Sequence, residues 1–324
     1  MGILSPDFDI DDKTISRSVQ SQMIVDEVLK HINHISVLLL DPNDEFDLRT
    51  LQNKLEGETK YYDLSQCKAG DYVDFINQFV LPLVNGQIDY LLVDNIDKTP
   101  DIEDIKDFKN ILKYLAKGGE YDPFQNVIYT EENNQRIKRT GVIDFDNYQN
   151  RLIMRCGTVP SFLDSFTYYV IDCRQSALWV HHYLELSQIE EPLMLIFGGE
   201  AGDSNTRLSE CKQWLHEMFP CVDSIGHPFK QGHDHMFDEK GNLQNISDHP
   251  ELLNKAILPT SVTPETDLLL IHRYVDQFNY DAALKYALDV VSEHHLPVIY
   301  LANSYELEQN PGADLKGFEI HTIE

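Results

Sequence analysis

The feature that most constrains the fold is a set of short, unbroken apolar runs. They are "VLLL" (37–40), "YLLV" (90–93), "LMLIF" (193–197), "LLLI" (268–271) and "VIYLA" (298–302). No charged residue interrupts them. A strand of this kind is covered on both faces, as in parallel sheets whose crossover helices lie on each side. Helix-period stretches stand between the runs. "DIEDIKDFKNILKYLAKGG" puts Ile102, Ile105, Phe108, Ile111, Leu112 and Leu115 on one face and stops at Gly118. "DYVDFINQFVLPLVNG" reads as a helix bent at Pro82. "DLRTLQNKL", "QSALWVHHYLELSQ", "NTRLSECKQWLHEMF" and "YDAALKYALDVVSEHH" read as helices. "TKYYDLS", "QNVIYT", "NRLIMRCG", "TYYVID", "CVDSIG" and "GFEIHTI" supply further strands.

About ten strands are more than one doubly wound sheet usually holds. The expected fold class is therefore α/β, with two Rossmann-like lobes whose mostly parallel sheets are flanked by helices. Residues 21–160 would form the N-terminal lobe and 165–324 the C-terminal one, divided in "VPSFLDS" at 159–165. Residues 1–20 are polar and acidic and read as a flexible acidic arm.

Charge narrows the partners. The chain of 324 residues carries a formal net charge of −28. Such a surface repels a phosphate backbone, which disfavours nucleic acid and leaves a basic protein as the macromolecular partner it would suit. No run reaches the roughly 18 apolar residues of a membrane span. The N-terminal stretch has neither the basic nor the apolar region of a secretory signal. Five cysteines without a CxxC pair fit buried free thiols in a reduced, cytoplasmic protein.

The first lobe has the order of parts of a P-loop nucleotide-binding domain without its residues. A phosphate loop reads GxxxxGK[ST]: glycines let amides close on phosphate, and the Lys neutralises it. The loop after "VLLL" is "DPNDEFDLR", with Asp41, Asp44, Glu45 and Asp47 and neither Gly nor Lys. Asp94 ends "YLLVD", where a metal-holding acid would stand. Four carboxylates oppose a triphosphate, so this lobe reads as P-loop-like in order with no phosphate loop. Asp47 suits an N-cap.

The second lobe carries the better signal. In "LMLIFGGEAGDSNTRLSE" a buried strand runs into Gly198, Gly199 and Gly202. A helix is expected to open near Thr206, with Ser204 or Asn205 as N-cap. Glycine permits a tight turn and close approach, and a helix N-terminus offers free N–H donors to an anion. Arg207 would add charge; Glu200 and Asp203 would hold a metal or a proton.

Residues 226–265 read as irregular, and "IGHPFKQGHDHMFDEK" within them carries His227, His233, His235 and Asp238, a ligand set suited to Zn²⁺. His272 ends "DLLLIH", at the edge where α/β sheets place their sites. The reading is of a phosphate-bearing small molecule, a nucleotide among them, bound on Gly198, Gly199, Gly202, Ser204 and Arg207. A divalent metal (Zn²⁺ or Mg²⁺) would assist, with His233, His235, His272, Glu200 and Asp203 as acid, base or ligands for hydrolysis or group transfer. The alternative is a non-enzymatic scaffold: a degenerate nucleotidase-like first lobe whose acidic surface binds a basic protein.

Overall fold

The computed structural model describes residues 17–101, 104–123, 142–146, 151–163, 168–185, 189–226, 235–237, 243–245, 264–272, 280–309 and 315–323. Two compact units divide the chain between Arg174 and Gln175.

The first unit opens with helix α1 (Arg17–His31) and strand β1 (Val37–Leu40). Asp47 caps a 3-10 helix, Leu48–Asn53, by accepting from the Arg49 amide, as its position suggested, although the segment is tighter than an α-helix. Strand β2 (Thr59–Asp63) follows, then α2 (Asp71–Phe75), a π-helical turn (Ile76–Val80) and α3 (Leu81–Val84). Pro82 has no N–H to give the preceding turn, and the turn ahead of it widens. Next come β3 (Tyr90–Asp94) and α4 (Ile105–Lys117). Helix α4 buries Phe108, Ile111, Leu112 and Leu115 as its period requires, and Gly118 ends it at φ +78. Short strands β4 (Glu120–Tyr121) and β5 (Ile143–Asp144) pair antiparallel. Strands β6 (Leu152–Cys156) and β7 (Tyr169–Asp172) complete the unit. Its main sheet is parallel, in the order β2-β3-β6-β1-β7. Tyr169–Asp172, read from sequence as the opening of the second half, pairs with β1 and belongs to the first sheet.

The second unit contains α5 (Gln175–Glu185), β8 (Leu193–Phe197), α6 (Ala201–Met218), β9 (Val222–Gly226), β10 (His235–Phe237), β11 (Leu243–Asn245) and β12 (Leu268–His272). It ends with α7 (Tyr280–His294), β13 (Val298–Asn303), α8 (Ser304–Gln309) and β14 (Glu319–Ile323). Strands β10 and β11 form a separate antiparallel pair. The main sheet is again parallel, in the order β14-β8-β13-β12-β9.

The two orders are one order. Numbered by appearance, both sheets run second, third, fourth, first, fifth. The chain is two α/β lobes of one topology, Rossmann-like, with mostly parallel sheets flanked by helices. Each lobe has its own core. Leu38, Leu91, Phe108, Leu112 and Met154 pack in the first. Met194, Leu269, Val298 and Leu195, Leu270, Ile299 fill the two faces of the second sheet.

This order places the crevice. The connection from first to second strand runs outward across the sheet, and that from fourth to fifth runs back the other way. Crossovers are right-handed, so the two leave on opposite faces. By that rule the ligand crevice of such a sheet is expected between the carboxyl ends of the first and fourth strands. It lies at β1/β6 in the first lobe and at β8/β13 in the second.

Candidate functional site

In the second lobe β8 delivers Gly198, Gly199 and Glu200 into this crevice. The Gly198 amide donates to the Ile323 carbonyl at 2.9 Å, so it extends the β8–β14 ladder. Gly199 stands at φ +93, which L side chains rarely adopt, and a Cβ there would come within 3.2 Å of Arg207 Nη2. The Arg207 guanidinium donates back to the Gly198 carbonyl and braces the turn.

Helix α6 begins earlier than its sequence suggests. Glu200, in extended conformation, is the N-cap residue, and Ala201 is the first helical residue. Gly202, Asp203 and Ser204 are therefore helical, and neither Ser204 nor Asn205 is the cap. Asp203 in the first turn interacts favourably with the positive end of the dipole, which lets the helix start there. Ser204 donates its amide to the Glu200 carbonyl at 3.0 Å, and its side chain is buried. Its hydroxyl is thus withdrawn from the crevice surface. The amides of Gly202 and Asp203 donate to no acceptor among the described residues, as expected of a first turn. The Glu200 and Asp203 side chains are exposed at this end of α6 and could hold a divalent cation.

The neighbouring strands add two groups. Asn303, buried at the end of β13 beside Phe197, donates from Nδ2 to Asn205 Oδ1 at 2.8 Å and ties that strand end to α6. His272 ends β12 as expected and is buried. Of the histidine segment, His227, His233 and Asp238 lie outside the described residues. His235 begins β10, its backbone paired opposite Asn245.

The same crevice in the first lobe is filled. Arg155, on β6, is buried with Asp41 at the end of β1 and Asp94 at the end of β3. Its Nε donates to Asp94 Oδ1 at 2.6 Å and its Nη2 to Asp94 Oδ2 at 3.2 Å. Its Nη1 donates to Asp41 Oδ2 at 3.0 Å and to the Phe46 carbonyl at 2.9 Å, and lies 2.6 Å from Asp44 Oδ1. Burial opposes the charge on Arg155, but bonds to Asp94 and then Asp41 outweigh it and raise its pKa. Tyr61 adds its hydroxyl to Asp94 Oδ2 at 2.8 Å; burial first, then that bond, push its pKa up. Hydrogen bonds from Lys98 and Arg155 hold Asp44 below the usual carboxylate range.

The β1 loop folds around its own acid. The Asp41 carboxylate accepts the amides of Glu45 at 3.1 Å and Phe46 at 2.9 Å. Arg155 was not singled out from sequence, although a charged residue in the middle of "LIMRC" carried the signal: a buried cation requires a partner. Asn303 gave a weaker cue as the polar end of "VIYLAN". Cys67, Cys156, Cys173 and Cys211 are buried free thiols, as expected, while Cys221 is exposed. Burial pushes the Cys156 thiol up to about 12.

No family model matches this chain. No curated protein matches it either. Among solved structures it is similar to a DEAD box protein from the hyperthermophile Methanococcus jannaschii, at 13% identity over 97% of this chain and 90% of that one. The TM-score is 0.21, and no residue's role is carried over from that protein. No described helix is long and apolar enough to cross a membrane.

Proposed function

We propose that the second lobe binds a phosphate-bearing small molecule, with a nucleotide the first to test. One observation carries the reading. At the β8/β13 crevice the turn after β8 presents the first-turn amides of Gly202 and Asp203, which donate to no acceptor among the described residues. Such donors, backed by the dipole of an 18-residue helix, favour an anion. Gly199 leaves the turn without a side chain, and Arg207 is close enough to exchange its bond to Gly198 for one to the ligand. A divalent cation between the phosphate and Glu200 or Asp203 would offset the repulsion of those carboxylates. His272, Glu200 and Asp203 are then the groups to examine for hydrolysis or group transfer.

The test is thermal unfolding of the full chain with nucleotides, inorganic phosphate, Mg²⁺, Mn²⁺ and Zn²⁺. A ligand at about 100 times its Kd raises stability by about 2.7 kcal/mol. The shift should vanish in Gly199→Val, whose side chain meets Arg207 at an unfavourable φ, and shrink in Arg207→Ala. Phosphate release measured on Glu200→Gln and Asp203→Asn examines the chemistry. No shift with any of these ligands would overturn the reading. The filled crevice of the first lobe favours a scaffold instead, and salt-sensitive binding of a basic protein alongside such silence would support that.

A further inference from the structure

In the first lobe the loop after β1 is shaped as an anion nest, and the anion it holds belongs to the chain. The amides of Glu45 and Phe46 converge on the Asp41 carboxylate, as successive amides of a phosphate loop converge on phosphate. Arg155 lies against that carboxylate and against Asp94, the strand-end acid of β3. We propose that Asp41, Arg155 and Asp94 form a built-in ligand: Asp41 fills the place of a bound phosphate, Arg155 that of its cation, and the crevice admits neither from outside.

Other amides around the crevice are also held by the chain's own acceptors. The Asp41 amide donates to the Cys156 carbonyl at 2.8 Å and the Asp44 amide to the Asp41 carbonyl at 3.2 Å. The Asn95 amide donates to Asp94 Oδ1 at 2.8 Å. The amides of Gly157 and Thr158, after β6, both donate to Asp97 Oδ2 at 2.9 Å. Gly157 is close-packed here, since a Cβ on it would come within 3.2 Å of Asp97 Oδ2. Asp44 (φ 57) and Asn95 (φ 54) both take the left-handed conformation beside this cluster. Such backbone persists where the surroundings over-determine it.

Charge fixes what the crevice would accept if opened. Asp41, Asp44 and Asp94 carry three negative charges; Arg155 and Lys98, which pairs with Asp44 at 3.2 Å, carry two positive ones. With Arg155 gone, two buried carboxylates face an empty volume. That volume should take a hard divalent cation through oxygen ligands, and should still refuse phosphate.

Hydrogen exchange and thermal unfolding on the full chain test this. In the wild type without ligand, the Glu45 and Phe46 amides should exchange at least about a hundredfold more slowly than exposed ones. Their protection should not change on adding about 10 mM Mg²⁺ with ATP. Arg155→Ala should melt lower in EDTA and recover by about 5 °C or more with Mn²⁺, but not with inorganic phosphate. Fast exchange at these two amides, a change in their protection on adding Mg²⁺ and ATP, or a folded Arg155→Ala protein indifferent to Mn²⁺ would each overturn the proposal. If Arg155→Ala does not fold, the wild-type exchange decides. A failure of the second-lobe reading would appear as unchanged exchange at 198–207 and leaves these outcomes untouched.

Discussion

At the scale of single residues, the first lobe turns on how few charges it buries and how completely it pairs them. Removing one member of such a group leaves the others uncompensated, which is costlier than the net worth of the pair. Asp44 differs because its side chain is 56% exposed, and solvent screens it. Its pKa is lowered below 3.8 by Lys98 and Arg155, so the folded protein holds that proton less tightly than the unfolded chain does. Asp44 therefore adds stability above the unfolded value and loses it as pH falls through the folded one. Asp44→Asn should cost no more than about 1 kcal/mol in urea unfolding at pH 7, and the cost should shrink as pH falls below 3.8 and through the folded value. A cost that persists in acid would mean that the loop's shape, and not its charge, is what Asp44 supplies. At this scale the sequence was a partial guide. Asp47 as cap, Asp94 and His272 at strand ends and the glycines after β8 were legible from local rules. Arg155 showed only as a charge inside an apolar run; its partners were not legible, because Asp41 and Asp94 stand at the ends of β1 and β3, remote in sequence.

At the scale of elements, what was legible was what depends on period. The apolar runs became strands because both faces of a parallel sheet are covered, and α4 buried the face its spacing marked. A cavity test follows. Leu112→Ala on α4 removes a side chain that is 0% exposed and should cost about 2–5 kcal/mol. Lys106→Ala on the exposed face should stay within about 0.5 kcal/mol. Equal costs, measured by denaturant unfolding, would contradict the packing of α4 against the sheet. The errors came where tertiary contacts outweigh local preference. Helix α1 begins inside the stretch read as an arm because Gln20 is buried and donates from Nε2 to the Cys173 carbonyl at 2.9 Å, a contact no window can see. The start of α6 moved to Ala201 because Gly202, read as part of a loop, tolerates the first helical turn.

At the scale of the whole molecule, two lobes share one strand order, yet the sequence shows no repeat. Topology is set by which segments are apolar and how the crossovers turn, and many sequences satisfy both. What differs is the content of the equivalent strand ends: an ion cluster around Arg155 in one, and in the other a glycine turn whose first-turn amides meet no acceptor among the described residues. Because each lobe has its own core, each should fold alone. The decisive detail is β7, which hydrogen bonds to β1 along Val37–Leu40 and closes that side of the first sheet. A fragment of residues 17–174 should give a cooperative thermal transition with a native-like circular dichroism spectrum. A fragment ending at residue 164 lacks β7, leaves the buried strand β1 as an unpaired edge, and should aggregate or lose that cooperativity. If both fragments fold equally well, β7 contributes little to the first sheet and the division of the chain lies earlier; if neither folds, the lobes are not independent.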